Sequence, residues 1–235
     1  MAQKIFDVEG VGPVVISKRR GSKNMRLSIT AKGQIRVNLP YWTPYSMGLA
    51  FVSSRAEWIK ERAGRYQKQI LRHNDRIGKS YRLNISHNTG VKTISARIRT
   101  SEIIISAPPG TSESELQKKI HMAAEKALKR EAQKLLPQRV SYLAKKHGYS
   151  YSELQVKKLT SRWGSCSSSG KITLSYFLMQ LPWELIDYVI LHELTHTRHL
   201  NHSASFWSEF KQALPNVKEL RKQIKQHNPV VKATI

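Results

Sequence analysis

Alternating apolar residues predict two β-hairpins in the first half of the chain. Residues 25–29 and 34–40 form one alternating pair, and residues 94–98 and 103–108 form a second. A proline and then a helical pattern follow each pair; the first helical pattern runs through Met47, Phe51 and Trp58. Two strand–turn–strand–proline–helix units indicate a duplicated ββα scaffold, and two independent hairpins are the alternative.

A long charged helix is predicted where the hairpins end. The helical pattern covers residues 113–147, with a break expected at Pro137 because proline lacks the N–H that a helix needs. Gly148 is expected to end the helix, since glycine adopts the left-handed conformation of helix C-termini. The pattern therefore divides the chain into a β-rich basic region, 1–112, and a largely helical region, 113–235.

A second helix, predicted over residues 182–200, carries polar groups that do not suit its surroundings. It begins with Pro182, a favoured first helical residue, and it is apolar on most sides, which is typical of a buried helix. Burying His192, Glu193 and His196 without partners would cost free energy. Because the two histidines are four residues apart, they share a face and could bind one metal ion. Histidines paired within the core are the alternative.

The order of the residues in this helix indicates a specific chemistry. Two histidines at i and i+4, with a glutamate directly after the first, are typical of zinc peptidases. Glu193 would lie beside the metal without binding it, where it could act as a general base on water. We therefore expect a zinc-dependent hydrolase, a peptidase in which Glu193 takes a proton from water and passes it to the leaving amine.

A third zinc ligand is expected after this pair of histidines. His199 shares a face with His192, but seven residues of helix advance about 10 Å, too far for both to reach one zinc ion. His202 fits better if the helix stops before it and Ser203 caps a following helix. Glu209, on that following helix, is the fallback. The predicted ligands are the two helical histidines and His202, with water in the fourth position.

The segment before the zinc helix is rich in glycine and serine. Residues 171–180 alternate in strand fashion, and the loop before them predicts an edge strand that could pair with an extended substrate. Arg162 could stabilise an oxyanion or a substrate carboxylate, or it could form a structural ion pair. Cys166 is the only cysteine, so the chain can form no intrachain disulfide, and we expect a buried thiol rather than a ligand.

Taken in order, these motifs resemble one family. They span about 50 residues and lie at 161–166, 172–174, 181–182, 187–189, 192–196, 201–203 and 206–207. The set resembles the YgjP-like family of predicted zinc metallopeptidases, which are related to the SprT proteins. The resemblance implies zinc, with His192, His196 and His202 as ligands and Glu193 as the catalytic base. It implies no particular substrate.

The charge of the chain adds a possible partner. Lys and Arg number 40 against 16 Asp and Glu, a formal net charge of +24. Such a positive field attracts polyanions, of which nucleic acid is an abundant one. The chain has no zinc-finger spacing and no RNA-recognition signature, so we expect non-specific binding at most. Two alternatives stay open: a nucleic-acid-associated protein with a structural zinc, and a peptidase that acts on DNA-bound proteins.

The sequence also predicts a location and an overall fold. No signal peptide is recognisable, and the longest apolar runs are shorter than the roughly 18 residues of a membrane-spanning helix. We therefore expect a cytoplasmic protein without membrane contact. The expected fold class is α+β, in which the β-rich N-terminal part packs against a helical, zincin-like catalytic part with a short edge-strand sheet.

Overall fold

The protein is a mixed α+β structure that divides into two compact units. Unit 1 is Met1–Gln67 and unit 2 is Lys68–Ile235. Three small sheets and six α-helices form the part of the chain that the structure describes, which confirms the predicted fold class at this level. The structure, a computed structural model, describes residues 3–30, 33–64, 69–229 and 231.

Unit 1 contains a four-stranded sheet followed by two helices. Its elements are β1 (Gln3–Val8), β2 (Gly12–Arg19), β3 (Arg26–Ile29), β4 (Ile35–Pro40), α1 (Tyr45–Ser53) and α2 (Ala56–Gly64). The strand order is β1-β2-β4-β3, with β2 parallel to β4 and the outer pairs antiparallel. The predicted hairpin is β3–β4. In β4, Ile35, Val37 and Leu39 are buried and Arg36 is exposed, so the alternation marks the face that packs on the core.

Unit 2 begins with a sheet of the same strand order. Its strands are β5 (Arg76–Ile77), β6 (Tyr81–His87), β7 (Ser95–Ile98) and β8 (Glu102–Ala107). The order is β5-β6-β8-β7, again with a parallel central pair, β6 and β8, and antiparallel outer pairs. The second predicted hairpin is β7–β8. Strands β2 and β6, which lie beside the hairpins, are additions that the sequence pattern did not predict.

The long helix α3 (Glu113–His147) follows this sheet. Ser112 caps it by accepting a hydrogen bond from the Glu115 N–H, and Gly148 ends it in the left-handed conformation with φ 70°, as predicted. The predicted break at Pro137 was wrong, because the helix continues through that residue. A proline removes one backbone hydrogen bond, whereas the buried residues on both sides of it, Leu136 and Val140, keep their packing.

A three-stranded sheet follows α3. Its strands are β9 (Glu153–Lys157), β10 (Gly164–Cys166) and β11 (Lys171–Ser175). The order β10-β11-β9 makes β11 the middle strand, so the expectation of an edge strand over 171–180 was wrong. Ile172 and Leu174 are buried on one face of β11. Such alternation shows which face packs on the core, but not whether the strand lies at the edge or in the middle of its sheet. Strands β10 and β9 form the two edges of this sheet, and residues 176–180 form a 3-10 helix.

Three helices complete unit 2: α4 (Trp183–Thr195), α5 (Ala204–Ala213) and α6 (Val217–Ile224). Helix α4 is buried along most of its length, as predicted, but it ends at Thr195 rather than near residue 200. Pro182 precedes it as the N-cap residue instead of opening it. Ser203 caps α5 by accepting a hydrogen bond from the Phe206 N–H at 3.4 Å, which confirms the predicted cap.

Two further predictions concern the boundary between the two sequence regions and the presence of membrane-spanning helices. The boundary predicted between residues 112 and 113 lies within unit 2, where α3 begins, and it stays a prediction about where the catalytic region starts. In the part of the chain that the structure describes, every helix is too short or too polar to cross a bilayer.

The packing of α3 predicts a large difference between two adjacent residues. Leu128 is fully buried, whereas Lys129 is exposed. Leu128→Ala should lower the free energy of unfolding by about 2–5 kcal/mol, because it leaves a cavity. Lys129→Ala should change it by less than about 0.5 kcal/mol. Urea unfolding of the two variants measures both values, and equal losses would contradict the burial described for α3.

Candidate metal centre

Three histidine side chains converge where α4 ends. His192 lies in the last turn of α4, His196 is the C-cap residue of that helix, and His202 lies in the turn before α5. Each ring offers one nitrogen to a common point, and these three nitrogens lie within 4.8 Å of one another. The structure therefore brings together the three residues predicted as ligands.

The distances of two ring nitrogens from that of His192 fit a tetrahedral metal ion. His192 Nε2 is 3.2 Å from His196 Nε2 and 3.1 Å from His202 Nε2. In a tetrahedral zinc site with Zn–N bonds of about 2.0–2.1 Å, two ligand nitrogens are about 3.3 Å apart. The donor set and its spacing therefore suit zinc.

Hydrogen bonding and burial prepare two of the rings to bind a cation. His196 Nδ1 is 2.9 Å from the backbone oxygen of His199. A carbonyl oxygen only accepts, so Nδ1 carries the hydrogen, and Nε2 is the nitrogen that faces the other histidines. Burial, assisted by the charges of His196 and His202, lowers the pKa of His192 to about 3. His192 is therefore neutral at pH 7.

An aromatic side chain on α5 lies beside all three histidines. The Phe206 ring centroid is 5.1 Å from that of His192, 4.7 Å from that of His196 and 4.8 Å from that of His202. Phe206 is fully buried, and Trp207 stacks on His202 at 5.7 Å. These contacts restrict the rotamers of the three rings. In the sequence, Phe206 gave no sign of this role beyond its place in the apolar pattern and in the family motifs.

Glu193 is buried beside this cluster and lies against the edge strand β10. Its side chain is 6% exposed, and burial raises its pKa to about 8, while the charge of Arg162 acts in the opposite direction. A Cβ atom at Gly164 of β10 would lie 2.7 Å from Glu193 Oε1. Gly164 therefore leaves room for the carboxylate, a requirement that its position in a glycine-rich loop did not reveal.

Cys166 lies close enough to this carboxylate to respond to its charge. Burial, with a further contribution from Glu193, raises the pKa of the Cys166 thiol to about 11. The side chain is half-buried, and it is not part of the histidine cluster. Cys166 therefore lies beside Glu193 without belonging to the group of three histidines.

The other two candidate ligands pair with each other. His199 Nε2 lies 2.7 Å from Glu209 Oε2, and Arg198 Nη1 donates to Glu209 Oε1 at 2.7 Å. The rise of a continuous helix was the wrong reason to set His199 aside, because α4 ends at Thr195. Its ring is directed to Glu209, and its carbonyl accepts the hydrogen bond from His196.

A cation near the cluster was not predicted as a site residue. Arg221 of α6 lies with its guanidinium carbon 4.8 Å from the Trp207 ring centroid. Burial is the largest cause of the lowered pKa of His202, and the charges of His196 and Arg221 lower that pKa further. In the sequence, Arg221 is one residue of a basic run, and only the packing of α6 brings it to the cluster.

Comparison with known proteins adds a family. The model of the family described as YgjP-like, metallopeptidase domain, matches residues 23–227, a span that includes the three histidines and Glu193. A search of curated proteins finds no match.

Two solved structures are similar to part of the chain. One is the metallopeptidase zymogen abylysin of Pyrococcus abyssi, at 26% identity and a TM-score of 0.37, covering 40% of this chain and 98% of the other. The second is the metallopeptidase zymogen jannalysin of Methanocaldococcus jannaschii, at 23% identity and a TM-score of 0.35, covering 40% of this chain and 96% of the other.

The contact between Gly164 and Glu193 predicts a position at which one methyl group is not tolerated. Gly164→Ala should lower the free energy of unfolding by about 1–3 kcal/mol, because the new Cβ overlaps the glutamate side chain. Gly90→Ala is the control: that glycine is exposed, its nearest neighbour is the side-chain oxygen of Asn88, and the change should be below about 0.5 kcal/mol. Denaturant unfolding compares the two, and a Gly164→Ala protein as stable as the wild type would contradict the contact.

Proposed function

We propose a function from one premise: the chain belongs to the YgjP-like metallopeptidase family. Within that family, we propose that it is a zinc-dependent peptidase of the His-Glu-x-x-His type. The observation that carries the proposal is a set of three imidazole nitrogens beside a buried carboxylate. His196 Nε2 lies 3.2 Å and His202 Nε2 lies 3.1 Å from His192 Nε2. Three histidine ligands leave the fourth position of a tetrahedral zinc open, as a catalytic site requires.

His192, His196 and His202 are the proposed zinc ligands. Imidazole nitrogen suits zinc and also copper, nickel and iron, so the donor set alone does not select one metal. Zinc is favoured because a tetrahedral arrangement with one open position matches the spacing and the hydrolytic family. The hydrogen bond from His196 Nδ1 to the His199 carbonyl supports this assignment, since zinc-binding histidines commonly donate their second N–H in this way.

Glu193 is the proposed general base. When bound, zinc supplies Lewis-acid chemistry: it lowers the pKa of a water molecule and polarises a carbonyl group. Glu193 takes the proton from the attacking water at its carboxylate and then donates it to the leaving nitrogen. Burial supports this role, because it raises the pKa of Glu193 to about 8 and so allows the carboxyl to hold a proton near neutral pH.

The edge strand β10 is the proposed support for an extended peptide. One side of β10 pairs with β11, and Gly164 at its start lies against the Glu193 side chain. A peptide that adds to the other side of β10 as a further strand would need only backbone hydrogen bonds. This arrangement supports a zincin-like catalytic region over 113–235, with peptide substrates of varied sequence.

We also propose that the two four-stranded sheets derive from an internal duplication. The strand order β1-β2-β4-β3 of unit 1 corresponds to β5-β6-β8-β7 of unit 2, and each central pair is parallel. In each unit the strand before the first helix ends with or near a proline, at Pro40 and at Pro108. The shared strand order extends the ββα similarity seen in the sequence by two strands per unit.

The two roles assigned to residues of α4 can be separated by substitution. Glu193→Gln should keep one zinc per chain and lower kcat by about 10²–10⁴-fold, because only proton transfer is lost. His196→Ala should lose both zinc and hydrolysis. Metal analysis and cleavage of a peptide library measure the two effects. A Glu193→Gln protein as active as the wild type would exclude the proposed base.

The assignment of the third ligand has its own test. His202→Ala should fail to retain zinc during dialysis against a weak chelator, because two imidazoles remain. His199→Ala is the matched control, and it should retain zinc because the backbone carbonyl that orients His196 is unchanged. The reverse result, with zinc lost from His199→Ala and retained by His202→Ala, would show that the ligand is misassigned.

A further inference from the structure

Unit 1 exposes two consecutive aromatic side chains directly after β4. Tyr41 is 56% exposed and Trp42 is 68% exposed. The buried core of unit 1 consists of aliphatic residues, including Val14, Ile16 and Val37, so these rings are not part of it. Contiguous exposed apolar surface commonly marks an interaction site, whereas single exposed apolar residues are ordinary.

Basic residues surround these rings because of the strand register. Strand β2 is parallel to β4 and pairs Arg19 with Pro40, the last residue of each strand. The residues that follow, Arg20 and Tyr41, therefore leave the sheet side by side. The Arg20 guanidinium carbon accordingly lies 5.2 Å from the Tyr41 ring centroid. At the carboxyl ends of these parallel strands, a cation therefore covers an aromatic ring.

A further ring with cations over it lies at the start of α1, where Tyr45 is half-buried and packs against the core and Phe6. Lys18 Nζ is 4.8 Å from the Tyr45 ring centroid, and Lys4 Nζ is 5.2 Å from it. Lys18 belongs to the end of β2, one pair before Arg19. Three cations thus lie over two aromatic rings at this end of the sheet. We call this surface the basic aromatic patch, and its residues are Lys4, Lys18, Arg20, Tyr41, Trp42 and Tyr45.

Negative charge on the same strands lies at the opposite end of the sheet. Asp7 pairs with Pro13 near the start of β2, and Glu9 follows in the adjoining turn. Strands rise about 3.3 Å per residue, so the two ends of the eight-residue β2 are roughly 20 Å apart. These carboxylates therefore do not neutralise the patch.

We propose that the basic aromatic patch binds single-stranded nucleic acid. Single strands are recognised without sequence preference by cations that contact phosphates and by aromatic rings that stack on bases. The faces of bases in a duplex are covered by their neighbours, so exposed rings such as Trp42 favour the single strand. An acidic peptide would use the cations but offers no flat surface to stack on the rings. The net charge of +24 provides the long-range attraction.

The proposal goes beyond the peptidase activity and does not depend on it. Its residues all lie in unit 1, whereas the residues of the metal centre all lie in unit 2. Loss of hydrolysis in Glu193→Gln should leave nucleic-acid binding unchanged, so failure of either proposal can be recognised separately.

The first test measures the aromatic part of the patch in the full-length chain. Fluorescence anisotropy of a labelled oligothymidylate gives the Kd, with the matching duplex as a second probe. Trp42→Ala should weaken single-strand binding by about 5- to 150-fold, the range for loss of one stacked base. Trp42→Phe should retain most of the binding, which separates stacking from misfolding. Tyr142→Ala removes an aromatic ring of similar exposure from α3 and should leave the Kd unchanged.

The second test measures the cations with a variant of equal charge as control. Lys18→Gln combined with Arg20→Gln should lower the slope of log Kd against log salt by about 1.4, because two phosphate contacts are lost. Lys145→Gln combined with Lys146→Gln removes the same charge from exposed positions at the end of α3, and it should leave the slope unchanged.

Three results would overturn the proposal. Equal affinity for duplex and single strand, with no effect of Trp42→Ala, would indicate general electrostatic attraction. Binding to phosphatidylglycerol vesicles that is lost in Trp42→Ala, without binding of the oligonucleotide, would identify a membrane surface. Equal displacement of the oligonucleotide by polyglutamate would identify a site for acidic protein segments.

Discussion

The constraint on which the site in unit 2 depends is the convergence of three imidazole nitrogens, two on half-buried side chains and one on the exposed His202. His196 donates its Nδ1 hydrogen to the His199 carbonyl, and its Nε2 faces His192 Nε2 at 3.2 Å. Among the described residues, His192 Nδ1 is buried without a hydrogen-bond partner, which argues against a histidine held only by core hydrogen bonds. Ring nitrogens that converge so closely cost free energy unless a cation or a hydrogen is shared between them. A metal ion bound at their common point removes this cost.

The surroundings of the cluster follow from that constraint. Phe206 restricts the rotamers of all three rings, and the backbone carbonyl of His199 orients His196. Gly164 leaves space for the Glu193 carboxylate beside the rings. Because each of these contacts joins different elements, the site depends on the packing of α4 against α5 and the short sheet. The helical motif alone would not bring His202 to the other two histidines.

Local signals in the sequence were sufficient for part of this arrangement. The spacing of His192 and His196 and the Ser203 cap act within a few residues, so both could be predicted. His202 was placed ahead of His199 by an argument about helix length, yet α4 ends too early for that argument to apply. The contacts of Phe206 and Gly164 are tertiary and have no local signal. For the same reason alternation revealed the hairpins, but not their parallel partners β2 and β6 or the central position of β11.

The most direct test of the metal centre is X-ray absorption spectroscopy of the zinc-loaded chain. We expect about three imidazole nitrogens and one further oxygen or nitrogen at about 2.0 Å, with the fourth ligand replaced when a small anion or hydroxamate is added. A sulfur ligand at about 2.3 Å would contradict it, because that distance would place the Cys166 thiolate on the metal. A four-ligand shell that does not respond to added ligands would contradict it as well, since it would indicate a structural zinc.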